Sequence, residues 1–411
     1  MKYYIIAGEA SGDLHGSNLI KSLQHLDNQA LIYAWGGDMM SATGVTLRKH
    51  YRDLAFMGFI EVVKNLRTIR QNMAFCKADI MAFQPDVVIF IDYPGFNLRI
   101  AKWLKNYNTS QKDVNYKPIK SFYYISPQIW AWHTSRVHGI KATVDKMFCI
   151  LPFEKDFYKT YNYNIDYVGH PLLDVIENYH AKTTSLMGGM YSFSREKPLF
   201  TEGVTLKTDN PIIVLMAGSR RQEIELMLPT MLNVASQLVD YQCVIAAAAA
   251  QSMNFYHTIL EKTWANRPDK NTDGDFPNIF IVNNKTYDVL AIADGAIVKS
   301  GTSTLETALF GVPQVVCYKG SALSYAIAKR LITIKYISLV NLIADKEIVK
   351  ELIQSDFTVE NTLNALRHAL DNRSNIQKEY TLLRHLLGNA GASARTAALM
   401  YDYLQGSPRE K

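Results

Sequence analysis

The chain has little cysteine and no pattern in what it has. Cys76, Cys149, Cys243 and Cys317 are scattered through 411 residues, mostly inside apolar runs, and none stands at metal-ligand spacing from another. That excludes a disulfide framework and a zinc module, and marks the four as small core residues of a protein kept in a reducing compartment. No stretch approaches the roughly eighteen uninterrupted apolar residues of a membrane span. The apolar run at the start is only a few residues long, too short for a secretory signal, so a cytoplasmic address is expected. Charge is not concentrated either. With 44 Lys and Arg against 38 Asp and Glu, the net charge of +6 is spread along the chain, unlike the basic runs with interleaved aromatics of nucleic-acid binders. Also missing are a G-x-G-x-x-G fingerprint, an Asp-x-Asp pair at the end of an apolar run and a His/Cys cluster, and Asp273-Gly-Asp275 lies in a polar loop. Neither cofactor, metal nor nucleic acid is expected.

What is present begins at once. Tyr3-Tyr-Ile-Ile-Ala-Gly-Glu-Ala-Ser-Gly-Asp-Leu-His-Gly16 passes from an apolar run through small and acidic residues into an amphipathic pattern at Leu14, Leu19, Ile20 and Leu23. This is the profile of a buried strand, a tight turn and a helix that Ser11 or Asp13 can cap. In an open α/β sheet such a turn lies at the carboxyl edge of the strands, where ligands bind. Gly8, Gly12 and Gly16 recur with Glu9, Ser11, Asp13 and His15 between them, which suits a hydroxylated ligand better than a pyrophosphate. A plain strand-to-helix turn remains the alternative.

Strand and helix patterns then alternate. Strands are expected at Ala30–Trp35, Val87–Asp92, Ser121–Ile125, Lys146–Leu151 and Tyr167–Gly169, with helices at Leu66–Phe83 and Phe96–Lys105. From Leu173 to Asp209 the pattern lapses into Gly, Ser, Thr, Lys and Tyr. A second series follows at Ile212–Met216, Cys243–Ala248, Ile279–Val282, Ala296–Lys299 and Gln314–Tyr318, and the chain from Asp345 onward reads as mainly helical. Wholly apolar strands such as Val87-Val-Ile-Phe-Ile91 suit parallel sheets buried on both faces. The expected fold class is α/β, with two Rossmann-like lobes around a cleft. The boundaries are 1–175 for the first lobe, 176–209 for a linker, 210–345 for the second lobe and 346–411 for a helical C-terminal segment.

Chemistry gathers at the strand ends. After Ile212–Met216 come Ala217-Gly218-Ser219-Arg220 and a helix, and amides at a helix start plus a guanidinium form an anion site able to hold a diphosphate. The alternative leaves Arg220 as a surface residue near a cap. Lys299 leads into Ser300-Gly301-Thr302 and a helix near Ser303, again suited to phosphate. Glu306, one turn on, can reach a ribose diol or close a capping box with Ser303. In the first lobe an apolar strand ends on Asp92, which at a cleft edge would be a partly desolvated base, or else a helix cap. Ser126, Trp130 and Trp132 follow another strand, placing aromatics to stack on a sugar, line an acyl-chain groove or fill the core. His170, before Pro171, is a proton or phosphate partner or a structural histidine. Lys64, Arg67 and Arg70 recur at helical spacing beside Phe59, Ile60, Val62, Val63, Leu66 and Ile69. That basic amphipathic stretch, Met57–Arg70, fits an anionic membrane surface or the protein's own sheet.

One family carries these motifs together and in this order. Ala7-Gly-Glu-Ala-Ser-Gly-Asp13, Phe56-Met-Gly58, Ile91-Asp-Tyr-Pro94, Ser126-Pro-Gln-Ile-Trp-Ala-Trp132, Leu151-Pro-Phe-Glu154, Gly169-His170, Gly218-Ser-Arg220, Ser300-Gly-Thr302 with Glu306, and Ser338-Leu-Val-Asn341 resemble the lipid-A-disaccharide synthases over nearly the whole chain. The resemblance implies a glycosyltransferase-B fold and an inverting transfer of 2,3-diacylglucosamine from its UDP donor to 2,3-diacylglucosamine 1-phosphate. The product would be a β-1′,6-linked tetraacyl disaccharide 1-phosphate, with UDP released. It implies UDP binding by Gly218, Ser219, Arg220, Ser300, Gly301, Thr302, Glu306 and Asn341, and acceptor binding by Gly8, Glu9, Ser11, Gly12, Asp13, Ser126, Trp130 and His170. Asp92 would be the general base and Arg220 would stabilise the leaving UDP, with no metal. Peripheral attachment to the inner membrane and a homodimer that exchanges C-terminal segments are implied as well.

The chain departs from that family at three places. Gly95 stands where an acidic residue is common, Val340 where a proline usually precedes the asparagine, and Leu186–Asp209 has no evident counterpart. Among rivals, a muramyl-lipid glycosyltransferase should open with a G-G-x-G-G-H turn, which is missing here. A UDP-N-acetylglucosamine 2-epimerase should bring more acids and histidines to the sugar. A lipid or nucleic-acid carrier would not need Asp92, Arg220 and Ser300–Thr302 together.

Overall fold

The computed structural model describes residues 1–54, 66–186, 206, 210–248, 250–265, 278–320 and 334–406. Phe56-Met-Gly58, the Met57–Asn65 part of the basic stretch, Asp273-Gly-Asp275 and most of Leu186–Asp209 therefore lie outside the described residues. The chain forms two compact units, Met1–Val175 with Leu387–Lys411, and Ile176–Leu386.

In the first unit β1 (Lys2–Ala7), β2 (Leu31–Gly36), β3 (Thr46–His50), β4 (Val87–Ile91), β5 (Lys120–Tyr124), β6 (Lys146–Cys149) and β7 (Asp166–Tyr167) form one sheet in the order β3-β2-β1-β4-β5-β6-β7. All neighbours run parallel. Every residue of β4, and every residue of β1 after Lys2, is buried, as strands covered on both faces require. The chain builds outward from β1 through β2 to β3, then returns to the other side of β1 with β4, so the order reverses between β1 and β4. Ala7 pairs with Ile91 there, and the next residues, Gly8 and Asp92, stand at the switch point where open α/β sheets bind ligands.

The helix Ala10–Leu26 reaches the sheet closely because of two of its glycines. A Cβ on Gly12 would stand 3.1 Å from the Ala7 Cβ, and one on Gly16 would stand 3.2 Å from Ile91 Cδ1. Its Leu19, Ile20 and Leu23 share a core with Ala397 and Met400 of the C-terminal helix Ala392–Gln405.

The second unit repeats the plan with β8 (Ile212–Met216), β9 (Gln242–Ala247), β10 (Ile279–Asn283), β11 (Gly295–Lys299), β12 (Gln314–Tyr318) and β13 (Lys350–Ile353), in the order β10-β9-β8-β11-β12-β13. Its reversal falls between β8 and β11, where Met216 pairs with Val298.

Two strands depart from expectation. β3 is Thr-Leu-Arg-Lys-His, and β13, Lys-Glu-Leu-Ile, interrupts a segment expected to be mainly helical. Both are edge strands, which pair on one side only and do not need a continuous apolar run. The helix after β4 starts at Pro94 rather than Phe96, since proline's fixed φ suits a first turn. All four cysteines are free and buried, and burial pushes the Cys243 thiol up to about 12, which keeps it inert. Among the described residues no helix is long and apolar enough to cross a membrane, and no group of three or more His, Cys, Asp and Glu could hold a metal.

Candidate active site

At the carboxyl edge of the first sheet, three non-glycine residues adopt left-handed backbone conformations: Asp92 at φ 43°, Tyr93 at φ 49° and Ile125 at φ 63°. β4 and β5 are neighbours, with Ile91 paired to Tyr124, so the three cluster. Such conformations cost about 1–3 kcal/mol each and concentrate where function needs them. The Asp92 carbonyl accepts from Tyr123 Oη at 2.5 Å and from Asn97 Nδ2 at 2.7 Å. The helix Pro94–Ser110 is capped at Tyr93 with no side-chain bond, so Asp92 is not the helix cap that its position allowed. Gly8 lies against the Tyr93 ring, which occupies the space a Cβ would take.

The turn after β1 is wired differently from its local pattern. Glu9, not Ser11 or Asp13, is the N-cap residue, and no side chain caps that helix. Buried Asp13 instead reaches across to accept from the amides of Gly37 (2.7 Å), Met39 (3.1 Å) and Met40 (3.0 Å). Its oxygens hold the following β-turn-helix unit together; Ser11 is exposed and Glu9 half-buried at the same edge.

Beyond β5, the Ser126 hydroxyl is 2.9 Å from Tyr158 Oη, and Trp130 Nε1 donates to Glu154 at 3.2 Å. Glu154 also accepts from the amides of Ile150 (3.2 Å) and Leu151 (3.0 Å), and burial nevertheless pushes its carboxyl up to about 7. The two tryptophans thus differ: Trp130 is held in place, while Trp132 is 47% exposed. His170 is buried, its Nδ1 accepting from the Leu172 amide at 3.2 Å. Burial and the neighbouring His15 push its pKa down to about 3, and burial pushes His15 down to about 4. Nearby Asp174 accepts from the amides of Gly391, Ala392 and Ser393, at the start of the C-terminal helix. His170 is therefore buried in an interior polar cluster with His15.

The second unit presents cations. Gly218 has φ 109°, and Arg220 is the extended N-cap of the helix Arg221–Ala235, whose start carries no side-chain cap. Arg220 Nη1 stands 3.7 Å from Glu223 Oε1, and Lys299 Nζ stands 2.9 Å from the same oxygen. Lys299 is not among the residues that the motifs mark, although a cation closing an apolar strand is a signal for it. Gly301 (φ 156°, ψ −162°) caps the helix Thr302–Leu309 in a conformation essentially confined to glycine, again with no side-chain cap. Thr302 is exposed, and the Ser300 hydroxyl donates to the Ile337 carbonyl at 2.7 Å.

Glu306 forms no capping box. Its Oε1 accepts from Tyr287 Oη at 2.8 Å, and burial raises its pKa. Asn341 is fully buried and fully engaged: Oδ1 accepts from the amides of Ile348 (2.8 Å) and Val349 (3.0 Å), and Nδ2 donates to Val349 O (2.8 Å) and Glu351 (2.9 Å). That exhausts the hydrogen-bonding capacity of an amide side chain, so Asn341 anchors β13.

A family model described as Lipid-A-disaccharide synthetase matches residues 3–400. The lipid-A-disaccharide synthase of Syntrophus aciditrophicus (strain SB) is 38% identical over 406 residues, covering 98% of each chain. That of Geobacter metallireducens is 34% identical over 415 residues, covering 97% of this chain and 96% of the relative. Among solved structures, UDP-GlcNAc 2-epimerase from Neisseria meningitidis bound to UDP-GlcNAc has a TM-score of 0.59 at 11% identity, over 99% of this chain and 100% of that one. The glycosyltransferase of kitacinnamycin has a TM-score of 0.60 at 13% identity, over 98% and 99%. The structural likenesses establish the two-lobed glycosyltransferase-B fold alone. With a family model spanning nearly its whole length and full-length relatives above 30% identity, this chain belongs to the lipid-A-disaccharide synthase family.

Proposed function

We propose that the chain transfers 2,3-diacylglucosamine from its UDP donor to the 6-hydroxyl of 2,3-diacylglucosamine 1-phosphate, with inversion, giving the β-1′,6-linked disaccharide 1-phosphate and UDP. The observation that carries the assignment of roles is the position of Asp92, held in a strained turn at the switch point of the first sheet. Inversion requires one in-line displacement. As the acceptor oxygen bonds to the anomeric carbon, its proton passes to the Asp92 carboxylate and the bond from that carbon to the UDP oxygen breaks. Gly8, Glu9, Ser11 and Gly12 on the neighbouring turn, with Ser126 and Trp130 beyond β5, contact the acceptor; Asp13 and His170 shape that surface from inside.

In the second unit, Arg220, Lys299 and the uncapped amides after Gly218-Ser219 and Ser300-Gly301-Thr302 hold the diphosphate and stabilise the charge that builds on it. Donors aimed at developing charge are each worth about 10²–10³ in rate. Glu306, oriented by Tyr287, takes the ribose hydroxyls, and Asn341 fixes the adjoining loop.

Both substrates carry acyl chains, and the helix Leu66–Phe83 offers a surface suited to their membrane. Exposed Arg67, Arg70, Phe75 and Met81 recur on one face of it. Peripheral attachment at the cytoplasmic side of the inner membrane belongs to the same proposal, as does a homodimer in which copies exchange C-terminal helices.

The test is turnover of both substrates in detergent micelles with EDTA, following UDP release. Asp92→Asn should lower kcat by about a hundredfold or more. Undiminished turnover would refute the role of Asp92, and no turnover by the wild type would refute the reaction.

A further inference from the structure

The carbonyl of Asp92 is gripped from two sides by buried side chains that no step of the transfer uses. Asn97, fully buried in the helix that follows, donates from one nitrogen to Asp92 O at 2.7 Å and lies 3.3 Å from Ile91 O and 3.4 Å from Ile6 O. One amide group thus ties the ends of β1 and β4 across the switch point. Tyr123, fully buried in β5, donates to the same Asp92 carbonyl at 2.5 Å. Burial pushes its phenol well above the ordinary tyrosine range, so the hydroxyl keeps its proton and remains a donor.

A strand-to-helix turn does not ordinarily need this. Glycine would take φ near +45° at either position without strain, yet positions 92 and 93 carry Asp and Tyr at φ 43° and 49°. Keeping a side chain at position 92 in a left-handed conformation requires that the surroundings over-determine the backbone. The two donors on its carbonyl do so: they fix the peptide plane after Asp92, and with it the direction in which the Cα–Cβ bond leaves the chain.

We propose that Asn97 and Tyr123 are positioning residues for the transfer, clamping the Asp92 carbonyl so that its carboxyl is presented in one orientation. The inference rests on Asp92 being the base. Neither residue contacts substrate; both act through Asp92.

A double-mutant cycle tests this on the full-length enzyme. Tyr123→Phe removes only the hydroxyl and keeps the ring in the core; Asn97→Ser, a second variant, withdraws the other donor. Each should lower kcat by about tenfold or more, the scale on which small misplacement of a reacting group is felt, with the KM of both substrates unchanged within about twofold. In the Asp92→Asn background neither should lower the residual rate further, because the group they position is gone. An unchanged kcat, or an equal fall in both backgrounds, overturns the inference while leaving Asp92 as base. A loss seen only in KM or in the urea midpoint also overturns it, since that marks a structural role. If Asp92→Asn itself turns over normally, the base assignment fails and this inference fails with it.

Discussion

Replacing His170 with Asn should flatten the pH dependence of stability in the first unit. Burial holds the folded His170 at a pKa of about 3, against an ordinary value of 6.5. Between those values the unfolded chain binds a proton that the folded chain refuses, so stability is complete above pH 6.5 and falls as pH drops toward the folded value. From pH 8 to pH 5 the loss from this one group is RT ln(1 + 10^1.5), or about 2 kcal/mol. His15, whose folded value is about 4, loses nearly as much over the same interval.

Glu154 acts in the opposite sense. Its folded value of about 7 exceeds the ordinary 4.5, so the folded state takes up its proton first and gains about 2.5 kcal/mol as pH falls from 8 to 5. Those three groups together therefore leave a net loss of about 1.5 kcal/mol, small enough to be hidden by other carboxylates, and only the difference between variants isolates His170. His170→Asn lets the amide oxygen replace Nδ1 as acceptor for Leu172 N. Urea unfolding at pH 8 and pH 5 followed by tryptophan fluorescence is the assay, since Trp35, Trp103, Trp130 and Trp132 lie in the first unit and only Trp264 in the second. The stability drop between the two pH values should be smaller by about 2 kcal/mol in the variant. An equal drop in both proteins would show that His170 is not held neutral by burial.

Further predictions concern ligand and membrane. Lys299→Gln should raise the KM for the UDP donor by about tenfold or more, the scale of one charge-assisted hydrogen bond, and leave the acceptor KM in place; an equal change for both substrates would argue against a diphosphate role. Arg67→Gln with Arg70→Gln should weaken binding to vesicles containing anionic phosphatidylglycerol by about 30-fold at low salt, from about 1 kcal/mol per cation. Binding that ignores both the variant and the salt would refute an electrostatic contribution from this helix face.

How much of this was legible in sequence follows from the range of each interaction. The central strands β1, β4 and β8 announce themselves by unbroken apolar runs, because burial on both faces leaves polar side chains nowhere to go. The edge strands β3 and β13 carry no such mark. The residues proposed for the site that lie just beyond a strand, Asp92 and Gly218–Arg220 among them, are marked in the sequence by that adjacency alone. What their side chains hold was not, because the partners are distant in sequence. Asp13 spends its carboxylate on Gly37–Met40, Glu306 meets Tyr287 across 19 residues, and Trp130 meets Glu154 across 24. Local spacing allows a helix cap for Asp13, and a capping box as the alternative to a ribose contact for Glu306; tertiary contacts engage both carboxylates instead.

The two units use one topology for different tasks in the proposed transfer, and the chemistry gives a reason. Each sheet reverses order once, and each reversal carries the residues assigned to the reaction. In the first unit these are the carboxylates Glu9 and Asp92; in the second they are the cations Arg220 and Lys299, bridged by Glu223. A base that must accept a proton loses strength when a cation pairs with it, since an opposite charge within a few ångströms lowers a carboxyl pKa by one unit or more. A site for a leaving diphosphate needs those same cations. On the proposed roles, the base and the anion site stand at different sheet edges, so each set of side chains can serve its own task. Glu223 can hold the two cations together before a diphosphate takes up their charge. On this view, moving a lysine to the first edge, as in Gly95→Lys, should lower kcat by depressing the base while leaving UDP binding untouched.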